Sequence, residues 1–161
     1  MMKANISMVR VATAVDRPAM VSLINAAFAI ETFLEGTRTD DADLAEKMTI
    51  GNFLLRHDGS DQLLASVYVE VRASRGYFGM LAVDPAHQGK GLGRTMVRAA
   101  EDYCRKRGCT AMGLTVLSLR PELPPIYRGL GYVETGTEDF HPSRPLKDGV
   151  ECHCIMMSKE L

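Results

Sequence analysis

Three glycines alternate in the stretch HQGKGLGRTM, residues 87–96, directly before a segment with helical spacing. The helix predicted to begin near Leu92 has no Ser, Thr, Asp or Asn at its start, so no capping side chain is available for its first amides. Glycines let these amides approach a ligand closely, and the positive end of the helix dipole favours an anion such as a diphosphate. Lys90 and Arg94 add positive charge nearby. A glycine turn that binds only water is the alternative, but strand, turn and uncapped helix together favour a phosphate site.

Two common phosphate-binding loops do not fit this stretch. A Walker loop ends in Gly-Lys-Ser or Gly-Lys-Thr, whereas this loop ends in Gly93-Arg94. A dinucleotide-binding fingerprint requires G-x-G-x-x-G, whose spacing the alternating glycines do not match. The pattern Gln88-x-x-Gly91-x-Gly93, after a strand that ends in LAVDPAHQ, resembles the acyl-coenzyme A loop of the GNAT family of N-acetyltransferases.

A second motif extends the resemblance. The segment PPIYRGLGYVETG, residues 124–136, is similar to the later part of the family, where a tyrosine precedes a Leu-Gly-aromatic step into a strand, and Tyr127 takes that place. The resemblance spans about residues 7–160, with the specific motifs between 77 and 136. It implies one α/β domain over residues 1–161, with a mixed, mostly antiparallel sheet flanked by helices. The strands at 77–83 and 110–117 are then expected to part and admit the pantetheine arm.

The resemblance also implies an activity: acetyl-CoA-dependent acetylation of a primary amine on a small molecule or peptide, by direct attack in a ternary complex. The backbone amide of Leu81 would bind the oxyanion, and Ala82 and Val83 would pair with the pantetheine. Tyr127 is the candidate acid for the departing thiolate, and its alternative role is to pack a short helix on the sheet. The residues implied to bind the coenzyme in the loop are Gln88, Gly89, Lys90, Gly91, Leu92, Gly93 and Arg94.

The base that accepts the proton of the amine is not assigned by the sequence. Some family members carry a glutamate near the start of the central strand, where Tyr77 stands here, and Arg120 replaces an asparagine that many members have. Several other residues are candidates for this base, and the alternative for each is an ordinary solvated side chain. These candidates are Glu31, Glu35, Glu122 and His141, and Glu70 lies on an alternating strand that faces either solvent or the site.

Other classes of function are less well supported. A module that binds acyl-CoA without catalysis is the main alternative, and a nucleotide-binding oxidoreductase is a distant third. No metal site is expected, because strand alternation in VECHCIMM would place His153 opposite Cys152 and Cys154. The resemblance leaves a homodimer open, and the sequence does not identify the acceptor or exclude other acyl groups.

Composition limits the partners. The chain has 161 residues, 46% hydrophobic, with a formal net charge of -1, so no overall field attracts nucleic acid or an anionic membrane. No segment approaches the roughly 20 apolar residues of a membrane span. The four cysteines lack CxxC spacing, so reduced thiols and a cytoplasmic location are expected.

The order of elements predicted to position these residues alternates between strands and helices. Helices are predicted over residues 16–29, from Asp40 or Asp41 to Met48, from Leu92 to a left-handed C-cap at Gly108, and around Tyr127. Strands are predicted at 7–12, 52–57, 63–72, 77–83, 110–117, 132–137 and 150–157.

Overall fold

The computed structural model describes residues 8–140 and 144–161. The strands are β1 (Val9–Val11), β2 (Asn52–His57), β3 (Leu63–Arg72), β4 (Arg75–Val83), β5 (Ala111–Leu117), β6 (Val133–Asp139) and β7 (His153–Glu160). The helices are α1 (Arg17–Ala27), α2 (Asp41–Ile50), α3 (Leu92–Arg105) and α4 (Leu123–Gly129). Within these described residues, no helix is long and apolar enough to cross a membrane.

The seven strands form a single sheet in the order β1-β2-β3-β4-β5-β7-β6. Neighbouring strands pair antiparallel except β4 and β5, which pair parallel. Parallel strands need a crossover connection, and α3 provides it between β4 and β5. The predicted α/β class with a mixed, mostly antiparallel sheet is therefore confirmed.

The two central strands part soon after they meet. Their ladder holds only three residue pairs and ends at Tyr77 and Gly113, although β4 continues to Val83 and β5 to Leu117. The predicted parting of these strands is confirmed. Backbone groups on this side of β4 therefore have no neighbouring strand beyond Tyr77.

Helices cover both faces of the sheet. Met96, Ala100 and Cys104 of α3 are fully buried in one core, and Met20 and Ile24 of α1 are fully buried in the other. Successive strand residues point to opposite faces, so the strands contribute alternately to the two cores. On the α3 side these strand residues include Leu54, Val67, Val69 and Phe78, and on the α1 side Phe53, Leu55 and Tyr68.

The last strand lies further along the chain than predicted. The sequence predicts this strand at 150–157, whereas β7 spans His153–Glu160. The strand continues to Glu160 because β5 pairs with it that far, from Cys154 opposite Leu117 to Glu160 opposite Ala111. The polar residues at its end are easily mistaken for the end of the strand. In contrast, the left-handed C-cap after α3 is confirmed, because Gly108 has a φ of 85°.

An ion pair joins Lys159 of β7 to Glu101 of α3. Glu101 of α3 is only 5% exposed. Its carboxylate accepts hydrogen bonds from the Tyr132 hydroxyl at 2.6 Å and from Lys159 Nζ at 3.1 Å. Burial is the main cause that raises the pKa of Tyr132, and the hydrogen bond from its hydroxyl to Glu101 is the second. The network links α3 to β7 and to the residue that precedes β6.

Replacing Tyr132 with Phe is expected to destabilise the fold by about 1.5–3 kcal/mol, because a hydrogen bond to a buried charge is lost. Urea denaturation measures this free energy of unfolding. Tyr103→Phe is the matched control, since the Tyr103 hydroxyl accepts only a neutral hydrogen bond from Asn52 at 2.8 Å. Its expected cost is about 0.5–1.5 kcal/mol. Equal losses in the two variants would contradict a special role for the buried charge.

Candidate active site

The start of α3 presents backbone amides without a side-chain cap. Gly91 occupies the N-cap position with a φ of 80°, and no side chain binds the first turn from there. Gly89 has the same φ of 80°, a left-handed conformation that favours glycine. The uncapped start predicted from the sequence is therefore confirmed. Directly before the glycines, Gln88 Nε2 donates a hydrogen bond to the Val83 carbonyl at 3.3 Å, which ties the loop to the end of β4.

A cavity of about 1090 Å³ begins at this helix end. It follows the parting of β4 and β5 and reaches the segment between α1 and α2. Most of the residues predicted for the site line it: Leu81, Val83, Gln88, Gly89, Gly91, Leu92, Gly93, Arg94 and Tyr127. The other two are placed elsewhere, since the Ala82 side chain is buried in the core and Lys90 is exposed outside the lining.

The backbone of β4 is strained at Met80, a residue that lines the cavity. Met80 has a φ of 50°, and the register between β3 and β4 shifts between Ser66 and Tyr68. A left-handed conformation at a non-glycine residue in a strand costs about 1–3 kcal/mol and is found most often at functional sites. Here it accompanies a bulge that turns the backbone beside Leu81. The sequence does not reveal this bulge.

Tyr127 lies on α4. Its ring packs in the core, and the residue also lines the cavity. It is 9% exposed, and its ring contacts Phe78 and Tyr132 at centroid distances of 5.9 Å and 6.3 Å. Burial raises the pKa of Tyr127 to about 12, and the positive charge of Arg120 partly opposes that rise. The Tyr127 hydroxyl makes no hydrogen bond to another described residue, and it is not one of the fully buried polar atoms without a partner, so it is open to the cavity. The phenol is therefore protonated at neutral pH and free to donate.

The candidate bases are found in different surroundings. Glu31 is 8% exposed, and its Oε2 accepts from Arg120 Nη1 at 2.7 Å. Glu122 pairs with the same arginine at 3.1 Å and lies half in solvent. Glu35 is exposed. His141 lies outside the described residues.

Glu70 faces the cavity rather than bulk solvent. Its carboxylate accepts from the Tyr68 hydroxyl at 3.0 Å and from Arg72 Nε at 2.9 Å. The bond from Arg72 is the main cause that lowers the pKa of Glu70. Arg72 also lies 4.4 Å from the centre of the Tyr77 ring. Glu70 and Tyr77 are cross-strand partners and both line the cavity, so β3 supplies a carboxylate beside Tyr77.

No group of three His, Cys, Asp or Glu side chains in residues 8–140 and 144–161 could hold a metal ion. Cys152 precedes β7, and within the strand His153 is exposed while Cys154 is buried. All four cysteines are free thiols. Burial raises the pKa of Cys104 to about 12, so this thiol is unreactive.

The sequence model of the acetyltransferase (GNAT) family matches residues 18–132, which include the glycine loop, the parted strands and Tyr127. The chain belongs to the GNAT family.

Several named acetyltransferases are similar to the chain. A mycothiol acetyltransferase from Saccharopolyspora erythraea is 29% identical over 78% of this chain and 43% of its own length. A streptothricin acetyltransferase from Streptomyces lavendulae is 29% identical over 77% of this chain and 62% of its own length. The chain thus spans about half the length of these relatives. A phosphinothricin acetyltransferase from Sinorhizobium meliloti, solved with acetyl-CoA, has the same fold, with a TM-score of 0.72 at 18% identity over 95% and 87% of the two chains.

Proposed function

We propose that this GNAT protein is an acetyl-CoA-dependent N-acetyltransferase that acts on a primary amine of a small molecule or peptide. One observation carries the proposal: the uncapped start of α3 and Tyr127 line the same cavity, which follows the gap between β4 and β5. The named relatives are acetyltransferases, and two of them are named for mycothiol and streptothricin. These names favour a small-molecule acceptor.

The loop and β4 would bind the coenzyme. The amides from Gly89 to Gly93 would donate to the diphosphate, with the helix dipole and Arg94 adding positive potential. The unpaired edge of β4 at Ala82 and Val83 would hydrogen-bond the pantetheine, since no strand occupies that side beyond Tyr77. Acetyl-CoA supplies an activated acetyl group as a thioester. These contacts would hold its carbonyl beside the strained turn at Met80 and Leu81.

Leu81 and Tyr127 would then act on the two ends of the reacting group. The Leu81 amide would donate to the carbonyl oxygen as negative charge develops there, a contribution of about 2.7–4 kcal/mol to lowering the barrier. As the amine nitrogen forms the amide bond and the carbon–sulfur bond breaks, the Tyr127 hydroxyl would give its proton to the sulfur, and the proton that the nitrogen loses would pass through solvent and restore the Tyr127 hydroxyl. The raised pKa of Tyr127, about 12, keeps the hydroxyl protonated and able to donate to the sulfur as negative charge develops there.

The alternative is a module that binds acyl-CoA without catalysis. It would share the loop and the cavity but would have no need of a buried, unbonded phenol at the cavity wall. Tyr127 therefore favours the enzyme.

Incubation of the purified protein with acetyl-CoA and a panel of amines, followed by thiol release and mass spectrometry, tests the proposal. We expect release of free CoA in equal amount to an acetylated amine. Calorimetry in parallel compares the binding of CoA with that of NAD. Tight CoA binding without an amide product from any amine would support the binding module instead. Preference for NAD would contradict both.

A further inference from the structure

Glu31 has a carboxylate oxygen without a partner. Arg120 binds Oε2, but Oε1 is fully buried and accepts no hydrogen bond from any described residue. The side chain as a whole is only 5% exposed. An unpaired buried acceptor costs about 1–3 kcal/mol, and more when the group is charged. The fold therefore retains an unfavourable feature that a bound donor would relieve.

The position of Glu31 indicates which ligand would approach. It lines the main cavity and also a neighbouring cavity of about 360 Å³ formed largely by the segment between α1 and α2. Phe28 and Leu34 line both cavities as well, so the surroundings of the carboxylate are partly apolar. A ligand with a hydrogen-bond donor and an apolar body fits such a wall.

The local charge favours a cationic donor. Arg120 pairs with both Glu31 and Glu122, so this group of three side chains carries a net charge of -1 (one cation and two anions). Arg38 also lines both cavities, with its guanidinium 5.2 Å from the centre of the Phe28 ring. The wider field is thus mixed, and selectivity depends on the direct contact. A charge-assisted bond from an ammonium group is about twice as strong as one from a neutral hydroxyl.

We propose that Glu31 binds the ammonium group of the acceptor, and that the acceptor is an aliphatic amine, cationic at neutral pH, with an apolar body. This inference rests on the proposed function, since it names the substrate class for the same cavity. Binding requires a small movement of the side chains that cover Oε1. Glu31 is then a specificity residue. The bound ammonium group must release a proton to solvent before its nitrogen attacks the thioester, and proton transfer to the sulfur stays with Tyr127.

Amide chemical shifts of the CoA-loaded protein test the inference without turnover. Phenethylamine, protonated at pH 7, and 2-phenylethanol, its uncharged analogue, are the two probes. We expect saturable shifts around residues 28–38 with the amine and much weaker ones with the alcohol. Glu31→Gln should weaken amine binding by about tenfold, the loss of one charge-assisted hydrogen bond.

Glu35→Gln is the matched control, because Glu35 is an exposed glutamate in the same segment. It should bind the amine within about twofold of the wild type, as expected for an exposed charge. The thermal unfolding midpoint checks the fold of Glu31→Gln, in which Arg120 keeps Glu122 as a partner at 3.1 Å. Equal binding of amine and alcohol, no saturable shift, or unchanged binding in Glu31→Gln would each overturn the inference. Thiol release by the same samples reports separately on the proposed function.

Discussion

Tyr127→Phe is expected to lower kcat for acetyl transfer by about 10²–10⁴-fold, the usual contribution of a general acid. The affinity for CoA should change little, because the hydroxyl has no assigned role in holding the coenzyme. The ring would stay packed against Phe78 and Tyr132, so stability should be nearly unchanged. Steady-state kinetics and a calorimetric titration with CoA measure the two quantities.

The pH dependence sharpens this prediction. A general acid works in its protonated form, and the pKa of Tyr127 is about 12, so the phenol holds its proton at every pH below that value. Deprotonation of Tyr127 should therefore not reduce kcat up to about pH 10. Tyr103→Phe, which removes a phenol outside the cavity lining, should keep wild-type kcat. Equal turnover of Tyr127→Phe and the wild type at several pH values would contradict the acid assignment.

Gly91→Asp is expected to weaken CoA binding by about 100-fold or more, since it places a carboxylate at the amides that would bind the diphosphate. Opposed like charges at a binding site cost several kcal/mol. The folded protein should tolerate the change, because aspartate enters the left-handed region more readily than most residues and suits a helix N-terminus. Calorimetry with CoA measures the affinity, and thermal unfolding measures the stability.

Gly91→Asn separates the charge from the added atoms. It has nearly the same shape as Gly91→Asp and also adopts the left-handed conformation. Its loss of CoA affinity should be much smaller, and the gap between the variants should shrink at high salt because the charge effect is screened. Equal affinities of the two variants at low salt would indicate that no anion binds at this end of α3.

Local patterns predicted much of the fold. The alternation and β-branched content of residues 63–72 predict β3 with its observed ends, and the glycine at 108 predicts the end of α3. The uncapped start of α3 could be predicted, because the residues directly before Leu92 include no Ser, Thr, Asp or Asn. These features depend on neighbours in sequence, and chemistry over a few residues determines them.

Contacts between distant segments could not be predicted in the same way. Glu31 and Arg120 are 89 residues apart and pair only because the segment between α1 and α2 meets the segment after β5 at the cavity. The sequence presents Glu31 as either a base or a solvated carboxylate, and its burial is a tertiary effect. The bulge at Met80 also lacks a local signal, because its strain is imposed by pairing with β3. The end of β7 depends on how far β5 extends.

A crystal structure of the protein with acetyl-CoA tests the central claim most directly. The account predicts the diphosphate on the amides of Gly89 to Gly93, the pantetheine between β4 and β5, and the thioester sulfur within hydrogen-bond distance of the Tyr127 hydroxyl. A coenzyme bound elsewhere, or a start of α3 closed by side chains of the protein with no room for the diphosphate, would contradict it.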